Sequence, residues 1–307
     1  MIDMHTLLNL ELTLYAMMAV GLILKKIGFL NPDGEKFLSN LVMYIILPCS
    51  IMKSFLIELT PDLVRQFFTT IAAGVCIIAL EVLITQTAFR RFPADKRKAM
   101  QYGMVNPNST FLGFPIVEGI FGAGGLTHAA MYQMPPRVVI WTYGLSLFTS
   151  AGLKGRELVK KCLLHPCMVG AYLGIFFMAT QVRLPAFVTG GLSHMASCLT
   201  ALSMLLIGSI LAEVKPKKLL SPPALWFCLF RLALMPGAVL LGCKLLGIDP
   251  TVAGVCTLMA GMPAASITVI LAVQYGTDTE FAGVLVTVST LLSTLTLPLW
   301  ALALSWL

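Results

Sequence analysis

Asn106-Pro-Asn-Ser-Thr-Phe-Leu-Gly-Phe-Pro115 lies inside an apolar stretch that continues to Gly122. Its reading decides the fold. A helix crossing a bilayer must pair its own backbone amides, because lipid offers them no partner. Proline removes a donor and clashes with the preceding turn, and Asn and Ser side chains compete for backbone groups. Residues 106–115 therefore read as the point where a membrane helix is broken. Broken helices near the bilayer midplane are where transporters tend to hold their substrates.

Composition outward from that stretch agrees. The chain has 307 residues, 58% hydrophobic and 11% charged, where a soluble domain carries about a quarter charged residues. The net charge is +7, but the basic residues sit in short loops between apolar spans and read as topology signals rather than a nucleic-acid footprint. The eight cysteines fall in or beside apolar spans without a CxxC pair. They read as small buried hydrophobes, with no zinc or disulfide framework and no cofactor. The N-terminus lacks a basic n-region and a small-residue cleavage site, so the first span is expected to be kept as a helix.

At about 20 residues per crossing, ten spans are expected: 5–24, 37–57, 64–89, 100–121 (the broken one), 126–151, 162–180, 187–212, 224–246, 252–275 and 281–307. Of 21 Lys and Arg, 15 follow odd-numbered spans, at positions 25, 26, 36, 90, 91, 96–98, 154, 156, 160, 161, 215, 217 and 218. The positive-inside rule then puts both termini outside the cytoplasm. Ten divides into two units of five, residues 1–151 and 152–307, and a duplicated odd-numbered unit inserts with opposite orientation. The chain's two Gly-x-Pro tripeptides, Gly113-Phe-Pro115 and Gly261-Met-Pro263, fall in the fourth and ninth spans, at matching places in the two halves.

These residues resemble the auxin efflux carrier family of membrane transporters. The resemblance is carried by Asn108 with Gly113 and Pro115, by Gly261-Met-Pro263 followed by Leu271-Ala-Val-Gln-Tyr-Gly-Thr-Asp278, by Arg231-Leu-Ala-Leu-Met-Pro236 and by Leu47-Pro48. It implies an all-α polytopic protein of ten transmembrane helices. These form two inverted five-helix repeats, with the fourth and ninth helices unwound at prolines and crossing near the midplane. It also implies a scaffold, a moving transport unit and an elevator-like mechanism. The implied substrates are organic anions, auxin-like acids or dicarboxylates. Expected partners are that anion, a coupling proton or sodium ion, membrane lipid and a second copy in a homodimer. The location implied is the cell membrane, in a compact bacterial-type member without the long loop of the large plant carriers.

The expected substrate site is the crossover: Asn106, Asn108, Ser109, Thr110, Gly113, Pro115, Gly261, Pro263 and Ser266. Unwound ends free backbone groups, and helix N-termini favour a carboxylate. Asn108 matches the family's anion-binding asparagine, while Pro115 and Pro263 hold the break open. The bland reading of the asparagines is that they cap the broken ends. Intramembrane charges call for explanation. Arg137 and Lys53 are candidate anion contacts, and Arg137 is equally a partner for Glu118 or Glu81. Arg231 is expected to snorkel to the cytoplasmic interface. Glu81 and Glu118 read as paired structural charges, with proton coupling as the other role. Glu11 and His194 are weaker candidates. A sodium- or proton-coupled cation transporter on the same fold would need one of those acids to titrate. An intramembrane enzyme would need a nucleophile and base, and neither HExxH nor GxSxG occurs. A channel or scaffold remains the other alternative.

Overall fold

A computed structural model describes residues 4–144, 146–148, 163–212 and 221–304. The helices are α1 (Met4–Lys26), α2 (Pro32–Leu41), α3 (Leu47–Ser54), α4 (Pro61–Thr87), α5 (Ala94–Val105), α6 (Phe114–Tyr132), α7 (Met134–Val139), α8 (Pro166–Thr180), α9 (Ala186–Ala212), α10 (Pro222–Cys228), α11 (Met235–Leu245), α12 (Pro250–Ala260), α13 (Ile267–Gln274) and α14 (Thr279–Ala303). No named strand occurs among the described residues. Six helical segments there are long and apolar enough to cross a membrane: Pro32–Ser54, Pro61–Thr87, Ser109–Val139, Ala186–Ala212, Pro222–Leu245 and Thr279–Ala303. Pro166–Thr180 and Pro250–Ala260 are shorter apolar helices. Large apolar side chains such as Phe68, Phe176, Phe187, Leu245 and Leu246 are exposed, as a lipid-facing surface requires. The protein is a multi-pass helical membrane protein.

The sequence marks where these helices start. Proline opens α2, α4, α8, α10 and α12, at a position where its missing N–H costs nothing. Asn31 caps α2 by accepting from Gly34 N at 2.8 Å. Asp249 caps α12 by accepting from Thr251 N at 2.9 Å and Val252 N at 3.2 Å. Asp278 caps α14 through Phe281 N at 2.9 Å.

Prolines inside spans act differently. Three π-helical turns, Val42–Ile46, Ser109–Gly113 and Leu229–Leu234, each end one residue before an X-Pro pair: Leu47-Pro48, Phe114-Pro115 and Met235-Pro236. A wider turn relieves the clash between a proline ring and the carbonyl four residues earlier. Helix α6, which joins the stretches expected as the fourth and fifth spans, is kinked at Gly122, whose φ of 66° and ψ of −160° are not helical. A glycine takes that left-handed φ without strain.

The described residues fall into two compact units. One draws on Met1–Phe68, Thr110–Met131 and Leu163–Glu213, the other on Thr69–Ser109, Tyr132–Cys162 and Val214–Leu307. Each unit therefore takes pieces from both halves of the sequence. In the first, α1 lies against α9 with backbones almost touching. A Cβ on Gly21 would sit 2.1 Å from Leu205 O, and one on Gly208 would sit 1.9 Å from Met18 O. Helices in lipid gain no hydrophobic drive from packing on each other, so close approach at small residues holds them together. Gly170 and Gly174 of α8 do the same against Pro48 and Phe55. Glu35 of α2 accepts from Lys25 at 2.8 Å and from Ser209 Oγ at 2.6 Å. In the second unit, Phe89 packs on Phe227 and Phe230, and the Arg91 guanidinium lies 3.8 Å from the Trp226 ring centroid. Trp226 also donates to Ala88 O. The basic segments 154–161 and 215–218 lie outside the described residues.

Candidate functional site

Helix α5 stops at Val105 and α12 at Ala260, and within the second unit the two ends meet. Pro107 and Ala264 form an isolated antiparallel bridge. Asn108 N donates to Pro263 O at 2.7 Å, and Ala265 N donates to Asn106 O at 3.2 Å. A third bond comes from the side: Ala264 N donates to Ser289 Oγ of α14 at 3.2 Å. The amides freed by breaking two helices thus find partners in each other, as an apolar interior demands. Gly103 makes room for the bridge, since a Cβ there would lie 3.1 Å from the Ala264 Cβ.

Asn106, Asn108 and Ser109 are buried at this point. Asn106 Nδ2 donates to Tyr102 Oη at 2.9 Å, one helical turn back. The Ser109 hydroxyl is fully buried and makes no hydrogen bond among the described residues. Gly261 and Pro263 are buried in the returning segment, and Ser266 is exposed at the start of α13. The Thr268 hydroxyl, in the first turn of α13, is buried and likewise makes no hydrogen bond.

The carbonyl ends of the two broken helices converge on one side chain. Arg231, in the π turn after α10, donates from Nε to Met262 O at 2.7 Å and from Nη1 to Met104 O at 2.9 Å. Its Nη2 donates to Met259 O at 3.4 Å. Nη1 also forms a salt bridge with Glu81 of α4. Arg231 is 0% and Glu81 2% exposed. The expectation that Arg231 snorkels is overturned. It lies nine residues into Pro222–Leu245, roughly 13 Å from the helix start at 1.5 Å per residue. A cation at two helix C-termini satisfies carbonyls that have no intrahelical donor and opposes the negative end of each dipole. Glu81 has Arg231 as its salt-bridge partner. Arg137 is buried on α7 in the same unit.

The remaining candidates lie in the other unit. The chain passes into it between Ser109 and Thr110. Thr110 and Gly113 belong to the π turn, and Pro115 to the first turn of α6. Lys53, on α3, is half-buried and exerts its charge on Glu118, which is also half-buried. His194 is exposed on α9. Three contributors escape sequence reasoning: Tyr102, Ser289 and Arg231 as a crossover residue. Tyr102 had a signal, standing four residues before Asn106 within one helix. Ser289 and Arg231 reach the crossover from distant segments, and no spacing announces them.

Two comparisons bear on what this arrangement serves. An uncharacterized transporter of Methanothermobacter thermautotrophicus is 26% identical over 312 residues, covering 95% of this chain and 97% of its own. An uncharacterized transporter of Methanocaldococcus jannaschii is 24% identical over 309 residues, again covering 95% of this chain and 97% of its own. The family described as Membrane transport protein matches residues 7–159 and 154–301. With nearly the whole chain matched, the protein belongs to the membrane transport protein family, the auxin-efflux-carrier-like membrane transporters.

Proposed function

We propose that the protein is a secondary transporter or uniporter of small organic anions, carboxylates such as auxin-like acids or dicarboxylates. It works by elevator-like alternating access in the cell membrane. One observation carries the reading: two helices end at the same backbone bridge, with Asn108 and the buried Ser109 hydroxyl beside it. Amides and hydroxyls at a broken helix hold a carboxylate through hydrogen bonds and helix dipoles, without a mobile counter-charge. The charge of Arg231 is engaged by Glu81 and by helix carbonyls, so it recognises nothing itself. Asn106, Asn108, Ser109, Gly261, Pro263 and Ser266 form the proposed contact set, with the unit that carries them as the moving part.

The proposal includes ten helices in two inverted repeats, 1–151 and 152–307, with both termini outside the cytoplasm. The alternative, a cation-coupled transporter, requires a titrating acid at the break. The acid that stands at this crossover, Glu81, is held in an ion pair.

Thermal-shift screening of mono- and dicarboxylates on the purified protein, followed by counterflow in liposomes, tests the proposal. A substrate raises the melting point in proportion to its saturation. Asn108→Ala should weaken binding of that substrate by 10- to 100-fold, as expected for losing a hydrogen bond to a charged group (about 1.5–3 kcal/mol), with little loss of folded protein. Unchanged affinity and transport in Asn108→Ala would remove the crossover as the site.

A further inference from the structure

The four groups that accept from Arg231 are all oxygens: the carbonyls of Met104, Met259 and Met262 and the carboxylate of Glu81. They come from three separate segments: α4, the end of α5, and the end of α12 with the residues directly after it. Unwound carbonyls and half-helix C-termini are what transporters use to hold sodium. Here the same kind of oxygen set surrounds a guanidinium, which stays charged at any physiological pH. Arg231 is 0% exposed. Its Nε and both of its Nη atoms are engaged. The cage carries one negative charge, from Glu81, and Arg231 balances it. The surroundings are packed: Gly261 lies against Pro236, two residues after the Leu229–Leu234 turn that carries Arg231. Tyr132, fully buried, lies within electrostatic range of both charges.

We infer that Arg231 is a built-in cation that occupies the place of a coupling ion, so that this crossover takes up no sodium. It follows that cutting back the arginine side chain exposes an anionic oxygen cage that binds a small monovalent cation. The inference rests on the transporter reading of the crossover and deepens it on one point, the coupling ion. A buried carboxylate without a partner cannot stay charged cheaply, so the emptied cage takes up either an alkali ion or a proton. The three carbonyls, fixed by the ends of α5 and α12, favour the ion.

The test is thermal unfolding of purified wild type, Arg231→Ala and the double variant Arg231→Ala/Glu81→Gln, each titrated with sodium chloride against choline chloride. Wild type should show no sodium-specific shift. Arg231→Ala should melt lower and recover by roughly 5 °C at saturating sodium. The double variant should lose that recovery, since its cage is uncharged. If Arg231→Ala is not recovered folded, Arg231→Gln carries the same comparison. A sodium-specific shift in wild type overturns the inference. So does the absence of one in the single variant, which would mean that Glu81 takes a proton instead. No carboxylate enters this experiment. A failed Asn108 test and a failed sodium test are therefore separate results.

Discussion

Ser289 is a single hydroxyl on which part of the crossover depends. It accepts from Ala264 N at 3.2 Å and donates to Val286 O at 3.1 Å within its own helix. It is fully buried, as is Ala264. Removing the hydroxyl leaves a main-chain N–H without an acceptor in an apolar interior, which costs about 1–3 kcal/mol. Ser293 lies one turn along the same helix, is equally buried, and bonds to Thr290 O. Its loss orphans no backbone donor. Ser289→Ala should therefore lower the melting temperature of the purified protein clearly more than Ser293→Ala. Equal losses would show that the contact with Ala264 contributes nothing. Asn106 and Asn108 differ in the same way from asparagines that only cap. The backbone of each takes part in the bridge, and the Asn106 amide is spent on Tyr102. The Ser109 hydroxyl, fully buried and without a hydrogen bond among the described residues, is the polar group beside the bridge best placed for a ligand.

Helices show most sharply what packing demands of a sequence. Gly208 and Gly190 share α9, yet a Cβ on Gly208 would meet Met18 O at 1.9 Å and one on Gly190 would meet nothing within 4 Å. Gly208→Ala forces two helix backbones apart, an overpacking cost of about 1–3 kcal/mol. Gly190→Ala removes a flexible residue from a helix interior and should stabilise by about 0.5–1 kcal/mol. The same substitution in one helix should thus shift the melting point in opposite directions. A loss at Gly190 as large as that at Gly208 would contradict the packing of α1 on α9. Element starts were readable because Pro at the first helical position and Asn or Asp just before it have direct backbone consequences. The two breaks were readable for the same reason, through Pro107, Pro115 and Pro263. The π turns before Pro48, Pro115 and Pro236 were not, because the proline predicts a disturbance but not how the chain absorbs it. The depth of Arg231 went unread because its partners come from segments as far away as Glu81, 150 residues earlier.

At the scale of the molecule, order along the chain and compactness in space divide the protein differently. The proposed repeats are contiguous, whereas each compact unit is assembled from three stretches, with boundaries inside α4 and at the break after Ser109. Periodicity and hydropathy report single spans, and nothing in them says which spans cluster, so this partition was beyond sequence reasoning. Charge, by contrast, reports on the entire topology at once. Basic residues crowd the loops after odd-numbered spans, and the proposed ten crossings with both termini outside turn that bias into an alternation that labelling can read. On a cysteine-free background, Glu58→Cys and Val182→Cys place exposed thiols in the loops after the second and sixth spans. Ala94→Cys and Glu280→Cys place them after the third and ninth. A membrane-impermeant maleimide should reach the first pair in intact cells and the second pair only after permeabilisation. The Glu280 position is the demanding one, because its loop, Gly276 to Glu280, has no basic residue to hold it in the cytoplasm. Its side is set only by the number of crossings before it. Labelling of Glu280→Cys from outside, with the other three as expected, would mean that the second half crosses the membrane an even number of times between Val182 and Glu280. The ten-span count and the inverted repeat would then fall together, while the orientation of the first half would stand.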